Sequence, residues 1–143
     1  MALTLNLQII TPERVVLDQE VEQVSACALD GELTILPEHE PITTALTVDI
    51  VRFKSKGQES AAAVIGGLLE VTGNQVTILS DAAELDVEID EARAHQAKER
   101  AEAEKTQRTD KLDVYVAEMA IARAIARLKA AELIKRRSRS VHN

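Results

Sequence analysis

The sequence predicts a mainly β plus α protein: a β-sandwich, or flattened barrel, followed by an α-helical hairpin. Three observations predict it. Short apolar–polar alternations punctuated by turn residues fill roughly the first 88 residues. The apolar period then lengthens to a helical one from Ile89 onward. The charge changes sign at the same place: residues 1–88 carry 4 Lys and Arg against 15 Asp and Glu, net −11, and residues 89–143 carry 13 against 9, net +4. We therefore divide the chain into a β-domain, 1–88, and a helical domain with a basic tail, 89–143.

Leu3, Leu5, Leu7 and Ile9 alternate with Thr4, Asn6 and Gln8, as in a strand with one buried face, and Thr11-Pro12-Glu13 turns the chain. Val15 to Leu17 is a short strand. Val21 to Ala28 follows and ends at Asp30-Gly31, a strong hairpin signal that returns the chain through Leu33 to Leu36. Pro37 and Pro41 then bracket His39. Each proline fixes its own φ and pushes the preceding residue toward extended backbone, so the stretch is stiff and suited to presenting a contact. Strands are expected at Ile42 to Leu46, Val48 to Phe53, Ser60 to Ile65, Leu68 to Val71 and Gln75 to Leu79, with breaks at Lys54 to Gln58, Gly66-Gly67 and Thr72 to Asn74.

Asp90 is the expected N-cap of a first helix running to about Lys105, and Thr106 to Thr109 the break before a second helix of about 27 residues from Asp110. The first helix offers almost only alanines (92, 94, 97, 101 and 103), each worth about 0.8 kcal/mol if buried. The second is apolar around most of its circumference, with Arg123 and Arg127 set into one face. Such a hairpin is helical by propensity yet weakly tied to the β-domain, which reads as a bistable element.

The 143 residues, 45% apolar, suffice for a real core. Phe53 and Tyr115 are the only aromatics. The core must therefore be aliphatic, and an aromatic base-stacking platform is excluded. Cys27, within Val24-Ser25-Ala26-Cys27-Ala28, is expected as a buried hydrophobe rather than a nucleophile or ligand. Neither a signal peptide nor a run of about 18 apolar residues is seen, so the expected location is cytosolic, or at a membrane only through partners. No Ser/His/Asp or Cys/His set, phosphate-binding glycine loop or metal-ligand cluster appears, so no catalytic or metal site is expected. His95 reads as an exposed helix residue and His142 as a frayed terminus. Asp90 by itself reads as a cap, and Arg93 as its solvated neighbour.

Several segments together carry a resemblance: Gly31-Glu32-Leu33-Thr34-Ile35-Leu36-Pro37-Glu38-His39-Glu40-Pro41, Gly66-Gly67-Leu68-Leu69-Glu70-Val71, Asn74-Gln75-Val76-Thr77-Ile78-Leu79, Ala82-Ala83-Glu84 and Ile89-Asp90-Glu91-Ala92-Arg93-Ala94. In order and spacing the chain resembles the epsilon subunits of bacterial-type F-type ATP synthases over nearly its whole length. The resemblance implies a ten-stranded sandwich and a two-helix hairpin in a noncatalytic rotor subunit. Such a subunit binds gamma and the c-ring, couples proton flow to the alpha/beta catalytic head, and lies peripherally on the cytoplasmic side of the cell membrane. The hairpin lies folded on the sandwich or extends along gamma, where it inhibits ATP hydrolysis.

The resemblance also implies site residues. Gly31, Glu32, Pro37, Glu38, His39 and Pro41 would make rotor contacts. Ile89, Asp90, Arg93 and Ala94 meet the family's ATP motif, and Glu84, Arg123 and Arg127 fall where relatives hold ATP against the folded hairpin. ATP would be a regulator, with no cofactor required. Guanidinium forks suit phosphate oxygens, so nucleotide would select the folded state by differential affinity. Thr34 and Glu38 stand where the family commonly has Gly, and Leu68 where Phe is common. A second class of function stays open beside this one: a free-standing β-sandwich whose basic hairpin grips nucleic acid, with an affinity that falls steeply as salt rises.

Overall fold

The computed structural model describes residues 3–107 and 111–141, with side chains described as far as Arg136. The alternation expected at the N-terminus forms β1 (Leu5–Ile10), and the chain continues through β2 (Val15–Val21), β3 (Gln23–Ala28), β4 (Gly31–Ile35), β5 (Ile42–Ser55), β6 (Gln58–Thr72), β7 (Gln75–Leu79) and β8 (Ala83–Leu85). A 3₁₀ turn at Asp86–Glu88 leads into α1 (Glu91–Gln107) and α2 (Lys111–Val141). The strand order is β2-β1-β7-β6-β5-β3-β4, with β8 on β6. All pairs are antiparallel except β1 with β7.

Eight strands stand where the resemblance implies ten, and the reason is local. β5 and β6 form one ribbon from Ser55↔Gln58 to Ile42↔Val71, running through Thr47 and Gly66-Gly67, where breaks were expected. Gly66 and Gly67 lie at φ 69° and 125°, conformations that bend the ribbon without ending it. The lower half of β6 pairs with β8 and its upper half with β7, so one bent ribbon serves both layers. β8, only 3 residues long, was not anticipated.

Between the layers lie Leu5, Leu7, Ile9, Val24, Ile35, Val64, Leu69, Val71, Val76 and Ile78, all essentially inaccessible, with Phe53 as the one aromatic. Cys27 departs from expectation and is only half-buried. The β3–β5 register shifts between Ser25 and Ala28, and the thiol meets the Asp49 carboxylate. Burial first, then that negative charge, pushes the thiol above its ordinary value, which suits an inert group.

The hairpin packs through alanine. The ion pairs Lys135–Glu91 at 2.8 Å and Lys105–Glu118 at 3.2 Å fix an antiparallel register that sets Ala94 level with Ala131 and Ala101 level with Ala124. All four are buried, whereas Ala92 and Ala103 of α1 are exposed. On the other side α2 crosses β5, β6 and the 3₁₀ turn. There Ala126 and Ala130 are buried, as are Ala61 and Ala63 of β6, which belong to no part of the sandwich core. The stretch expected as the interhelical break is partly helix, since α1 runs through Gln107, and residues 108–110 lie outside the described residues.

Gly67 tests the bend. A Cβ built there would stand 2.1 Å from the Leu79 carbonyl oxygen, inside the β6–β7 ladder. Gly67→Ala is expected to lower the free energy of unfolding by about 2–4 kcal/mol, through both the clash and the positive φ. Chemical denaturation of the purified chain measures it, and a loss below about 0.5 kcal/mol would mean the ribbon bends elsewhere.

Candidate functional site

The joint between sandwich and hairpin opens as a cleft of about 510 Å³ lined by Arg14, Glu84, Glu88, Asp90, Arg93, Ala94, Ala97 and Arg127. Four parts of the chain supply it: the β1–β2 turn, the segment from β8 through the 3₁₀ turn, the start of α1 and the middle of α2. Asp90 caps α1 as its type suggests, its Oδ1 accepting the Arg93 N–H at 3.2 Å while its carbonyl accepts the Ala94 N–H at 3.0 Å. That cap fixes Arg93 on the first turn and brings Ala97, one turn on, to the same wall.

Of the residues expected at a nucleotide site, Glu84, Asp90, Arg93, Ala94 and Arg127 come together here, and Arg123 does not. It lies one helical turn, about 6 Å, from Arg127 toward the hairpin tip. Arg127 donates through Nε and Nη2 to Glu84 Oε1, at 3.2 and 3.1 Å. Sequence reasoning missed Arg14 and Glu88. Arg14 forks onto Glu88 at 3.0 and 2.8 Å, and Glu88 Oε2 also accepts the Leu85 N–H at 3.1 Å. Nothing local marks Arg14, since the partner that defines it is 74 residues away. Buried Asp86 pins the turn by accepting the Ala61 N–H at 3.2 Å.

The cleft's formal charges cancel, three arginines against three carboxylates. Arg14 and Arg127 already hold guanidinium–carboxylate geometry, which is also the geometry of phosphate recognition. A volume within the usual range for small-molecule sites, together with the small apolar wall of Ala94 and Ala97, fits a nucleotide-sized anion. Among the described residues no metal-ligand cluster occurs.

The residues expected at the rotor contact split into two places. Gly31 and Glu32 open β4 and Pro37 to Pro41 follow its end, so β4 itself separates them. Glu32 forms an ion pair with Arg52 of β5. In the proline loop the His39 N–H donates to the Leu36 carbonyl at 3.2 Å, and its ring Nδ1–H to the Glu40 carbonyl at 2.6 Å. Glu38, where glycine is common, adopts φ 66°, and its N–H donates to Asn74 Oδ1 at 2.8 Å, which holds the left-handed turn without glycine. Thr34 is an ordinary strand residue whose hydroxyl meets that of Ser25 at 2.9 Å. The loop and Arg14 lie at opposite ends of β1, about 20 Å apart along the strand.

A second surface escaped the sequence reading. Val15 pairs with Ile10, Ile10 with Leu79, Leu79 with Leu68 and Leu68 with Ala45, whose carbonyl accepts the Leu29 N–H. Val15, Leu79, Leu68 and Leu29 are 55, 46, 39 and 70% exposed, making an apolar row across five strands. Val15, Leu68 and Leu79 are strand positions and Leu29 a turn residue, and only the register aligns them.

These features define a class: a β-sandwich with a helical hairpin docked through alanines and ion pairs, and an arginine-lined cleft at the joint. Family models place the chain within it. Residues 4–86 match the model described as ATP synthase, Delta/Epsilon chain, beta-sandwich domain, and residues 88–132 the corresponding long alpha-helix domain. The chain is 49% identical over 132 residues to the ATP synthase epsilon chain of Moorella thermoacetica, covering 92% of this chain and 98% of the relative. It is 46% identical over 132 residues to that of Desulforamulus reducens, covering 92% and 100%. A chain in the Euglena gracilis mitochondrial ATP synthase shares the fold at TM-score 0.77 and 24% identity, over 90% of this chain and 81% of that one. This protein belongs to the ATP synthase delta/epsilon chain family.

Acid should loosen the hairpin. Within the hairpin, Lys135 holds Glu91 below the ordinary value of 4.5. At Asp49 burial opposes ionisation, but the Ile50 N–H and the Lys129 ammonium, 3.2 Å away, outweigh it and lower the value. Depressed folded values mean the stabilisation is present above the ordinary carboxylate range and is lost as pH falls through the folded values. A pair of fluorophores on α2 and the β-domain should therefore report separation as pH falls below the ordinary aspartate value of 3.8, while far-ultraviolet dichroism retains the β signal. Loss of both signals together would contradict a separately weakened hairpin.

Proposed function

We propose that this chain is the noncatalytic central-stalk subunit of a proton-translocating F-type ATP synthase. The β-domain couples gamma and the c-ring to the alpha/beta catalytic head. Folding and extension of α1–α2 regulate ATP hydrolysis, with ATP favouring the folded form. The subunit is peripheral, on the cytoplasmic side of the membrane. Among the described residues no helix is long and apolar enough to cross a membrane.

The observation that carries the regulatory half is the nature of the α2 interface. Large aliphatics build the sandwich core, yet among the described side chains of α2 the fully buried ones are all alanines. Its larger aliphatics such as Ile125 and Leu128 are only half-buried, and Arg127–Glu84 and Lys129–Asp49 add ion pairs. Exposed ion pairs of this kind contribute roughly 0–1 kcal/mol each. Leu112, Tyr115 and Val116 at the start of α2 are 68, 59 and 55% exposed, so the docked form leaves apolar helix surface for another partner. A ligand bound only by the docked form shifts the balance by its affinity difference between the two forms.

The nucleic-acid reading has less support. Among the described side chains of the hairpin, Lys98, Lys105, Lys129, Lys135 and Arg136 each lie against a carboxylate, which lowers the net charge they offer a phosphate backbone.

Removing residues 89–143 should leave assembly with gamma and the catalytic head intact and raise steady-state ATP hydrolysis. Hydrolysis unchanged by the truncation would overturn the inhibitory role. The apolar row gives a separate test of rotor docking. Leu68→Asp, at a partly exposed position, is expected to abolish copurification with gamma while the isolated chain melts within a few degrees of the parent. Undiminished copurification would place the gamma contact elsewhere on the sandwich.

A further inference from the structure

Three arginines face the cleft, and they differ in the part of the molecule they belong to. Arg93 is on α1 and Arg127 on α2, so both travel with the hairpin. The β-domain side contributes the carboxylates Glu84 and Glu88, which repel a polyphosphate. An anion gripped by Arg93 and Arg127 alone would ride on the hairpin and give it no reason to stay docked. Fastening the hairpin requires a cation on the other side. The β-domain has only Arg14, Arg52, Lys54 and Lys56, and of these Arg14 alone lines the cleft.

We propose that Arg14 is the β-domain's phosphate-binding arm in this cleft, and that Glu88 is its resting partner, released when the polyphosphate of ATP binds. The inference rests on the ATP reading of the site and adds to it the residue through which the ligand ties the two domains together. In the resting form the guanidinium forks bidentately onto Glu88 at 3.0 and 2.8 Å. A phosphate offers the same two-oxygen geometry with more charge, so the exchange replaces one fork by another. Arg14 can make it because its side chain remains 49% exposed on the cleft rim. Thr11 anchors the turn it projects from, the Thr11 N–H donating to the Arg14 carbonyl at 2.9 Å and the Arg14 N–H to Thr11 Oγ1 at 3.3 Å. The backbone can stay still while the side chain swings.

The two members of the pair then have opposite effects, which a merely structural ion pair would not produce. By titration calorimetry of the full chain with ATP, Arg14→Gln should weaken binding about three- to tenfold, the range expected for one partly exposed charged contact. Arg14→Lys should recover part of it. Glu88→Gln, which removes the competitor and one repelling charge, should tighten binding. Saturating ATP should slow amide exchange across residues 124–131 in the parent and slow it less in Arg14→Gln. Thermal melts of each apo variant report whether the fold persists. Arg14→Gln binding like the parent, or both variants weakening together, would overturn the proposal while leaving the site's ligand in place. If the parent binds no ATP, or Arg93→Ala binds as well as the parent, the ATP reading itself falls, and the role of Arg14 with it.

Discussion

The structure depends on one ribbon, the antiparallel pairing of β5 with β6 from Ser55↔Gln58 to Ile42↔Val71. β3, β7 and β8 all pair with it, and α2 lies across it. Its two halves belong to different layers, so the ribbon must turn without losing its ladder. Gly66 and Gly67 permit this with left-handed φ, and at Gly67 the Leu79 carbonyl occupies the space a side chain would need. Every layer of the sandwich therefore takes its position from two glycines.

Against that frame the hairpin is bound by a different kind of contact. A buried leucine or isoleucine in the core contributes about 1.5–3 kcal/mol, and an alanine methyl about 0.8 kcal/mol at most. Ala61 and Ala63 beneath α2, and Ala126 and Ala130 on it, allow close approach and little else. Register comes from charge: Lys129 with Asp49, Arg127 with Glu84 and Lys135 with Glu91. Specific placement with little binding energy is what a segment needs if a ligand or partner is to move it.

The sequence disclosed those parts of the molecule in which the determinant is local. Leu5, Leu7 and Ile9 show their face by alternation, Asp30-Gly31 shows its turn, and Asp90 shows the cap that the geometry has. The five site residues that meet in the cleft came from family spacing rather than from local chemistry. What stayed hidden depends on register. Gly66-Gly67 reads as a break because glycine usually ends a strand, whereas here the ladder with β5 continues past it while the other edge changes partner from β8 to β7. The apolar row of Val15, Leu79, Leu68 and Leu29 exists only once five strands are aligned. Arg14 acquires meaning from Glu88, and no window of sequence contains both.

The proposed function puts regulation at the joint rather than at the proline loop, and the two places differ in the way that reading needs. The loop is stiff and satisfied, with Glu38 tied to Asn74 and His39 to its own turn, so it can present a fixed surface and little more. The joint instead balances three arginines against three carboxylates contributed by the β-domain and the hairpin. A net-neutral set costs little to keep when the hairpin is down, and under the proposed function an added polyanion would act on it because Arg14 and Arg127 can each trade a carboxylate for a phosphate. In the proposed reading, sensitivity to such a ligand follows from those two pairs being replaceable. The proline-loop end of the sandwich and its charged end are thus held a strand's length apart by β1, the first closed on its own hydrogen bonds and the second on exposed ion pairs.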